Sequence, residues 1–269
     1  MKRTVPLLAT AAILALSLSA CDSSGSSAES SSPEQSGSAL QKVKDAGVLT
    51  VGTEGTYRPF SFHEGSDLTG YDVEVIKAVG EKMGVEVKFQ ETQWDAIFAG
   101  LDAGRFDVIA NQVAINPDRE KKYLFSTPYT VSEGVVVTKS DNNDITSFDS
   151  LKGKKTAQSL TSSFYEAAKA AGATIEPVEG WAQSVTLLKQ GRVDATVNDK
   201  LTFLDAQKTN PDDSIKIAAE SDDKSESAVT MRKGSEDLQA AIDKALKELS
   251  ADGELASISE KYFGEDVSK

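Results

Sequence analysis

The strongest constraint on this chain is a pattern that occurs twice. Trp94, Leu101, Gly104, Arg105, Phe106 and Asp107 share their spacing with Trp181, Leu188, Gly191, Arg192, Val193 and Asp194. The common string is W-x6-L-x2-G-R-apolar-D, and an apolar stretch follows each copy. Each copy predicts a helix that ends at the glycine, which tolerates a left-handed cap, and then a turn into a strand. Unrelated helix–glycine–strand units are the alternative, because such units are common in α/β proteins. A true repeat implies two lobes of similar construction. Asn111 follows the first strand, and Asn198 and Asp199 follow the second. Open α/β sheets bind ligands beyond the carboxyl ends of their strands, so these residues are expected to face one another across a cleft.

The surrounding sequence fits that frame. From Leu40 onward, short apolar runs alternate with amphipathic stretches. Residues 48–52, 85–89 and 106–110 read as strands, and 72–83 and 93–103 as helices. The same alternation returns between 155 and 217. Leu238, Ala241, Ile242, Ala245, Leu246 and Leu249 fall on one face of a later helix. The fold class is therefore α/β, with mostly parallel sheets flanked by helices.

The first forty residues read differently. Met1-Lys2-Arg3 is a basic head, and residues 5–18 form an apolar run of 14. That run is too short to span a hydrocarbon core of about 30 Å, and its layout is that of a secretory signal peptide. Leu18-Ser19-Ala20-Cys21 resembles the lipobox of bacterial lipoproteins, with Cys21 as the acylated first residue of the mature chain. Cys21 is the only cysteine. Residues 22–39 hold nine serines in 18 positions and no Val, Leu, Ile or aromatic residue. Such a segment buries too little apolar surface to order itself and reads as a tether reaching roughly 20–25 Å.

Composition excludes several functions. The formal charge is −13, and it becomes −15 once Lys2 and Arg3 leave with residues 1–20. A net-acidic chain without a basic stripe repels phosphate, which argues against nucleic-acid binding. One cysteine and one histidine cannot build a Cys/His zinc site or an internal disulfide. His63 reads as part of a solvated turn. There is no P-loop, dinucleotide fingerprint or G-x-S-x-G elbow, so no metal, cofactor or catalytic residue is expected. The remaining groups suit a small zwitterion. Arg119 can clamp a carboxylate, Asp199 can pair with an ammonium, and Tyr57, Phe60 and Trp94 can form apolar walls.

From Leu49 to Tyr129 the chain resembles the family 3 extracellular solute-binding proteins, receptors for polar amino acids in bacterial ABC importers. Gly70-Tyr71-Asp72-Val73-Glu74-Val75, then Val79-Gly80 and Met83, is similar to the family signature. The likeness runs from about residue 40 to 267 and is greatest to the cystine-binding branch. Glu54-Gly55-Thr56-Tyr57, Asn111-Gln112-Val113, Arg119, Lys121-Lys122-Tyr123, Phe125-Ser126-Thr127-Pro128-Tyr129 and Ser259-Glu260-Lys261-Tyr262-Phe263-Gly264 carry that second likeness.

The resemblance implies roles. Arg119 and the backbone N–H of Ala114 would bind the ligand α-carboxylate. The backbone carbonyls of Asn111 and Gln112, and the acid Asp199, would meet the α-ammonium. Tyr57 and Trp94 would flank the ligand, with Glu54 an acid near it. Ser162 and Ser163 would form a carboxylate-binding turn. Relatives often carry Gly-Thr before this helix, where this chain has Leu160-Thr161-Ser162-Ser163. Trp181 is assigned to core or rim packing.

These readings give a two-lobe periplasmic-binding-protein-like fold of type II. Lobe one is 40–131 with 228–269, and lobe two is 132–227. Crossovers near 130–132 and 225–227 form the hinge. The implied function is an outward-facing, lipid-anchored monomeric receptor for a polar amino acid, cystine foremost, serving an ABC permease and ATPase. The rival is a secreted cyclohexadienyl or arogenate dehydratase on the same fold, with Glu54 as general acid. A sensory ligand module acting through a membrane partner is a third reading.

Overall fold

The computed structural model describes residues 37–269, so the signal peptide, Cys21 and most of the serine-rich tether lie outside the described residues. The chain opens with α1 (Ala39–Ala46) and β1 (Val48–Thr53). Ser38, expected in the tether, instead accepts a hydrogen bond from Gln41 N as the cap of α1. A small hairpin sheet follows: β2 (Thr56–Tyr57), β3 (Ser61–Glu64) and β4 (Asp67–Thr69). Then come α2 (Tyr71–Met83), β5 (Glu86–Glu91), α3 (Trp94–Asp102), β6 (Val108–Ile109), α4 (Pro117–Glu120) and β7 (Tyr123–Phe125).

The long strand β8 (Thr130–Lys139) carries the chain into lobe two. There follow β9 (Lys155–Gln158), α5 (Ser163–Ala170), β10 (Thr174–Pro177), α6 (Trp181–Lys189), β11 (Ala195–Asp199) and α7 (Lys200–Thr209). β12 (Ile215–Ser227) returns the chain to β13 (Thr230–Arg232), α8 (Glu236–Ala251) and α9 (Glu254–Phe263). Among the described residues no helix is long and apolar enough to cross a membrane.

Two five-stranded sheets result, in the orders β5-β1-β6-β13-β7 and β10-β9-β11-β8-β12. They match position for position. Each has a parallel group of three (β1 between β5 and β6; β9 between β10 and β11), then one strand running against it (β13; β8) and an edge strand running with it again (β7; β12). Both sheets are thus mixed. The parallel group is the part the helix–strand alternation foretells, and the antiparallel strands enter where the chain passes between lobes.

The sequence repeat is a structural repeat down to single bonds. Gly104 and Gly191 both take φ of 68°, where a Cβ would be strained. Arg105 N donates to Gly100 O at 3.0 Å, and Arg192 N to Leu187 O at 2.9 Å. Asp107 Oδ2 accepts from Thr50 N at 2.9 Å, and Asp194 Oδ2 accepts from Lys155 N at 2.8 Å. Each aspartate thereby fastens its strand to the neighbouring parallel strand of its own lobe.

Both faces of each sheet are covered. Val135 and Val137 pack into one layer with Leu188 and Phe203, while Val136 packs into the other with Ile145 and Leu151. This is the period-two alternation of a strand buried on both sides. In lobe one, Val108 joins the α2/α8 layer and Ile109 the α3 layer. The predicted face of α8 is buried at Leu238, Ile242, Ala245, Leu246 and Leu249, each such side chain contributing about 1.5–3 kcal/mol. At Gly70, φ of 127° and a would-be Cβ only 2.3 Å from Phe60 O explain why no side chain stands before Tyr71. His63 lies in β3, not in a turn; its ring remains exposed and meets Glu91 Oε2 at 2.9 Å.

Candidate functional site

A cavity lies where the strand ends of the two sheets face each other. Its volume is about 60 Å3, so little free space is left between the walls. Glu54, Tyr57, Trp94, Asn111, Gln112 and Arg119 line it from lobe one. Gln158, Ser159, Ser162, Ser163, Phe164, Glu179, Gly180, Trp181, Ser184, Val197 and Asn198 line it from lobe two.

The lobe-one wall is a hydrogen-bonded frame. Asn111, fully buried at the end of β6, accepts from Glu54 N (2.8 Å) and Thr53 Oγ1 (2.9 Å) and donates Nδ2 to Glu54 Oε2 (2.6 Å). Burial pushes the Glu54 carboxyl up to about 7, with Asp95 and Glu179 adding repulsion. Gln112 takes φ of 51°, the only positive φ of a non-glycine among the described residues. Asp72 holds it there, accepting from Gln112 N at 2.7 Å and Nε2 at 2.6 Å. The family-like Gly-Tyr-Asp string thus supplies a core aromatic and a buried acid that fixes the cavity floor.

Arg119 is placed by a short capped turn. Asn116 Oδ1 accepts from Arg119 N at 2.8 Å, and Pro117 starts α4. The guanidinium donates Nη1 to Ala114 O (2.8 Å) and Nη2 to Thr161 O (2.9 Å), the latter across the cleft. It lies 5.6 Å from the Trp94 ring and 5.3 Å from Phe98. Among the described residues no carboxylate pairs with it, and burial lowers its pKa to about 10. A partly buried cation served by carbonyls and ring faces is primed for an anion.

The lobe-two wall is built at helix starts. Ser162 spends its hydroxyl as the α5 cap, accepting from Tyr165 N at 3.0 Å and donating to Ser159 O at 2.9 Å. The first-turn N–H groups at Ser163 and Phe164 then lack helical partners, which suits a carboxylate. Thr161, where relatives often have glycine, gives both its N–H (3.2 Å) and its hydroxyl (2.8 Å) to Asp95 Oδ1 of lobe one. Tyr57 donates to Asn198 Oδ1 at 3.1 Å. These contacts and Arg58–Asp205 at 3.4 Å hold the lobes against one another.

Three expected residues stand elsewhere. Phe60 does not line the cavity: it is fully buried in the lobe-one core, 5.1 Å from the Tyr57 ring and 5.9 Å from Phe263, and so backs Tyr57 from behind. Ala114 is not in the wall either. It forms a bridge with Ser227 beside the crossover strands, and its carbonyl positions Arg119. Asp199 lies behind the wall, where Asn198 takes the expected place. Its Oδ1 accepts from Ser132 Oγ (2.7 Å) and Leu201 N (2.8 Å) as the cap of α7, and Oδ2 takes part in neither bond. The capping bond explains its place: the Asp199 carboxylate is drawn to the start of α7 and away from the cleft.

The sequence reading missed Trp181, which lines the cavity while meeting Phe203 edge-on at 6.4 Å. Its signal was present, because it is the repeat partner of Trp94. Gln158 and Glu179 carry no comparable sequence signal.

Comparison with known proteins places the chain in a family. The family of bacterial extracellular solute-binding proteins, family 3, matches residues 49–265. The L-cystine-binding protein TcyA of Bacillus subtilis is 50% identical over 265 residues, covering 98% of each chain. The L-cystine solute receptor of Neisseria gonorrhoeae, solved unliganded and open, is also 50% identical, covering 87% of this chain and 100% of that one, with a TM-score of 0.60. An ancestral arginine-binding protein bound to arginine, 36% identical and covering 81% and 98%, reaches 0.76. The chain belongs to the bacterial extracellular solute-binding proteins of family 3.

Proposed function

We propose that this chain is the lipid-anchored receptor of an ABC importer and that it captures cystine by closing its two lobes. The observation that carries the reading is the Arg119 guanidinium, partly buried in the cavity wall with no acidic partner among the described residues. Facing it, the start of α5 at Ser162–Ser163 offers backbone N–H groups to the same α-carboxylate. The backbone carbonyls at Asn111 and Gln112 are the candidate acceptors for the ammonium. Tyr57, Trp94 and Trp181 enclose the body of the ligand. The choice of cystine rests on the names of two relatives, each 50% identical to this chain.

Ligand contacts from both lobes favour the closed arrangement, and closure is the signal that a permease and its ATPase would read. The two crossover segments run side by side, with Ser225 paired to Ser132, Glu226 to Val131 and Ser227 to Thr130, and they serve as the hinge. Acylation of Cys21 would hold a monomer at the outer face of the cell membrane.

Calorimetry against a panel of amino acids that includes cystine tests the reading. Tight binding of cystine is expected, and a panel with no binder rejects it. Labelled palmitate tests the anchor separately: incorporation should occur in the native chain and be lost on Cys21→Ala.

A further inference from the structure

Two donors in the cavity wall have no partner among the described residues: Gln158 Nε2 and Trp94 Nε1. Their residues are 3% and 8% exposed. A buried N–H without an acceptor is unfavourable, so these groups call for oxygen atoms from outside the chain. Gln158 sits apart from the carbonyls that hold Arg119. It ends β9, where its carbonyl accepts from Val178 N at 3.1 Å, and the next residue, Ser159, donates to Glu179 O at 2.9 Å. Gln158 and Glu179 are therefore neighbours in the wall. Glu179 in turn faces Glu54 closely enough to repel its charge. Neither Glu54 nor Glu179 has a cationic partner among the described residues.

This part of the cavity thus combines a free donor with acids that lack a cation. That is the complement of a second amino-acid head, whose carboxylate accepts and whose ammonium donates. We propose that Gln158, Glu179 and Glu54 form a subsite for the far head of a two-headed amino acid, with the Gln158 amide donating to its carboxylate. The proposal rests on the reading that the ligand is cystine. The repeat supports it: Trp94 and Trp181 stand at equivalent positions on opposite walls, so a ligand with two like halves meets like surfaces.

The test uses the full chain in detergent, wild type and Gln158→Leu, titrated calorimetrically with cystine and with S-methylcysteine, which keeps one head only. The substitution should shift the ratio of the two affinities by about 10- to 100-fold against cystine, the loss typical of a hydrogen bond to a charged group. Gln158→Glu, which keeps the side-chain shape, should shift it the same way, and thermal melts show that each variant is folded. If both ligands weaken equally, or neither does, the subsite is wrong while the ligand reading stands. If the wild type fails to bind cystine, both fall.

Discussion

Arg119 and Glu54 set the chemistry of the cleft between them. Arg119 has no anionic partner among the described residues, so on the proposed function its replacement removes the partner of the ligand carboxylate. Arg119→Ala should weaken amino-acid binding by at least about 100-fold in calorimetry, while Arg119→Lys, a point charge without the fork, should recover only part of it. Glu54 titrates near neutrality because burial disfavours its charge. An ammonium placed against it favours the charged form, so binding at pH 7 should release protons. The release would be read as a dependence of binding heat on buffer ionisation enthalpy and should shrink in Glu54→Gln. The arginine stood out in the sequence through the family likeness alone. The withdrawal of Asp199 was not legible there, since it follows from the carboxylate capping α7.

Burial also raises Asp72 to about 7 and Asp199 to about 6. For all three acids the folded value lies above the ordinary carboxylate range, so each favours the folded state when protonated. That contribution is complete below about pH 4 and is lost as pH rises through 6 to 7. The melting temperature of the ligand-free protein should therefore fall between pH 5 and pH 8, and a thermal scan across that range checks it. A flat profile would show that these carboxyls are better solvated than their surroundings imply.

At the scale of elements, the repeat unit is the informative one. Helix, glycine, turn and strand recur with the same bonds, and the terminal aspartate of each copy fastens its strand to a parallel neighbour. Asp107 is half-buried and Asp194 exposed. Asp107→Ala should accordingly cost about 1–2 kcal/mol in denaturant unfolding and Asp194→Ala less than about 1, because water can replace an exposed acceptor. These units were readable because period and capping are local properties. The antiparallel strands β8 and β12 were less so. Their pairing joins residues about ninety positions apart at the crossover, and nothing local in β12, with its acidic run and register shifts, announces it.

For the whole molecule, closure is held by few contacts. Arg58–Asp205, Tyr57–Asn198 and Thr161–Asp95 bridge the lobes beside the cavity. Arg58 is largely exposed, and such pairs are worth under about 1 kcal/mol. Arg58→Ala should weaken binding two- to fivefold with no ligand contact removed, seen in calorimetry as a change in affinity alone. Two lobes were foreseeable from the doubled pattern, but the contacts that close them were not, since loops from distant segments supply them.

The strand order has a further consequence for biogenesis. β13 lies in the interior of the first sheet, between β6 and β7, yet it follows every strand of the second sheet in the chain. A nascent polypeptide emerging from its N-terminal end therefore completes the second sheet while the first still lacks an inner strand. Until Thr230–Arg232 arrives, β7 has no neighbour in its sheet and the β6 edge lies open, so the earliest-made half of the receptor is the last to become whole.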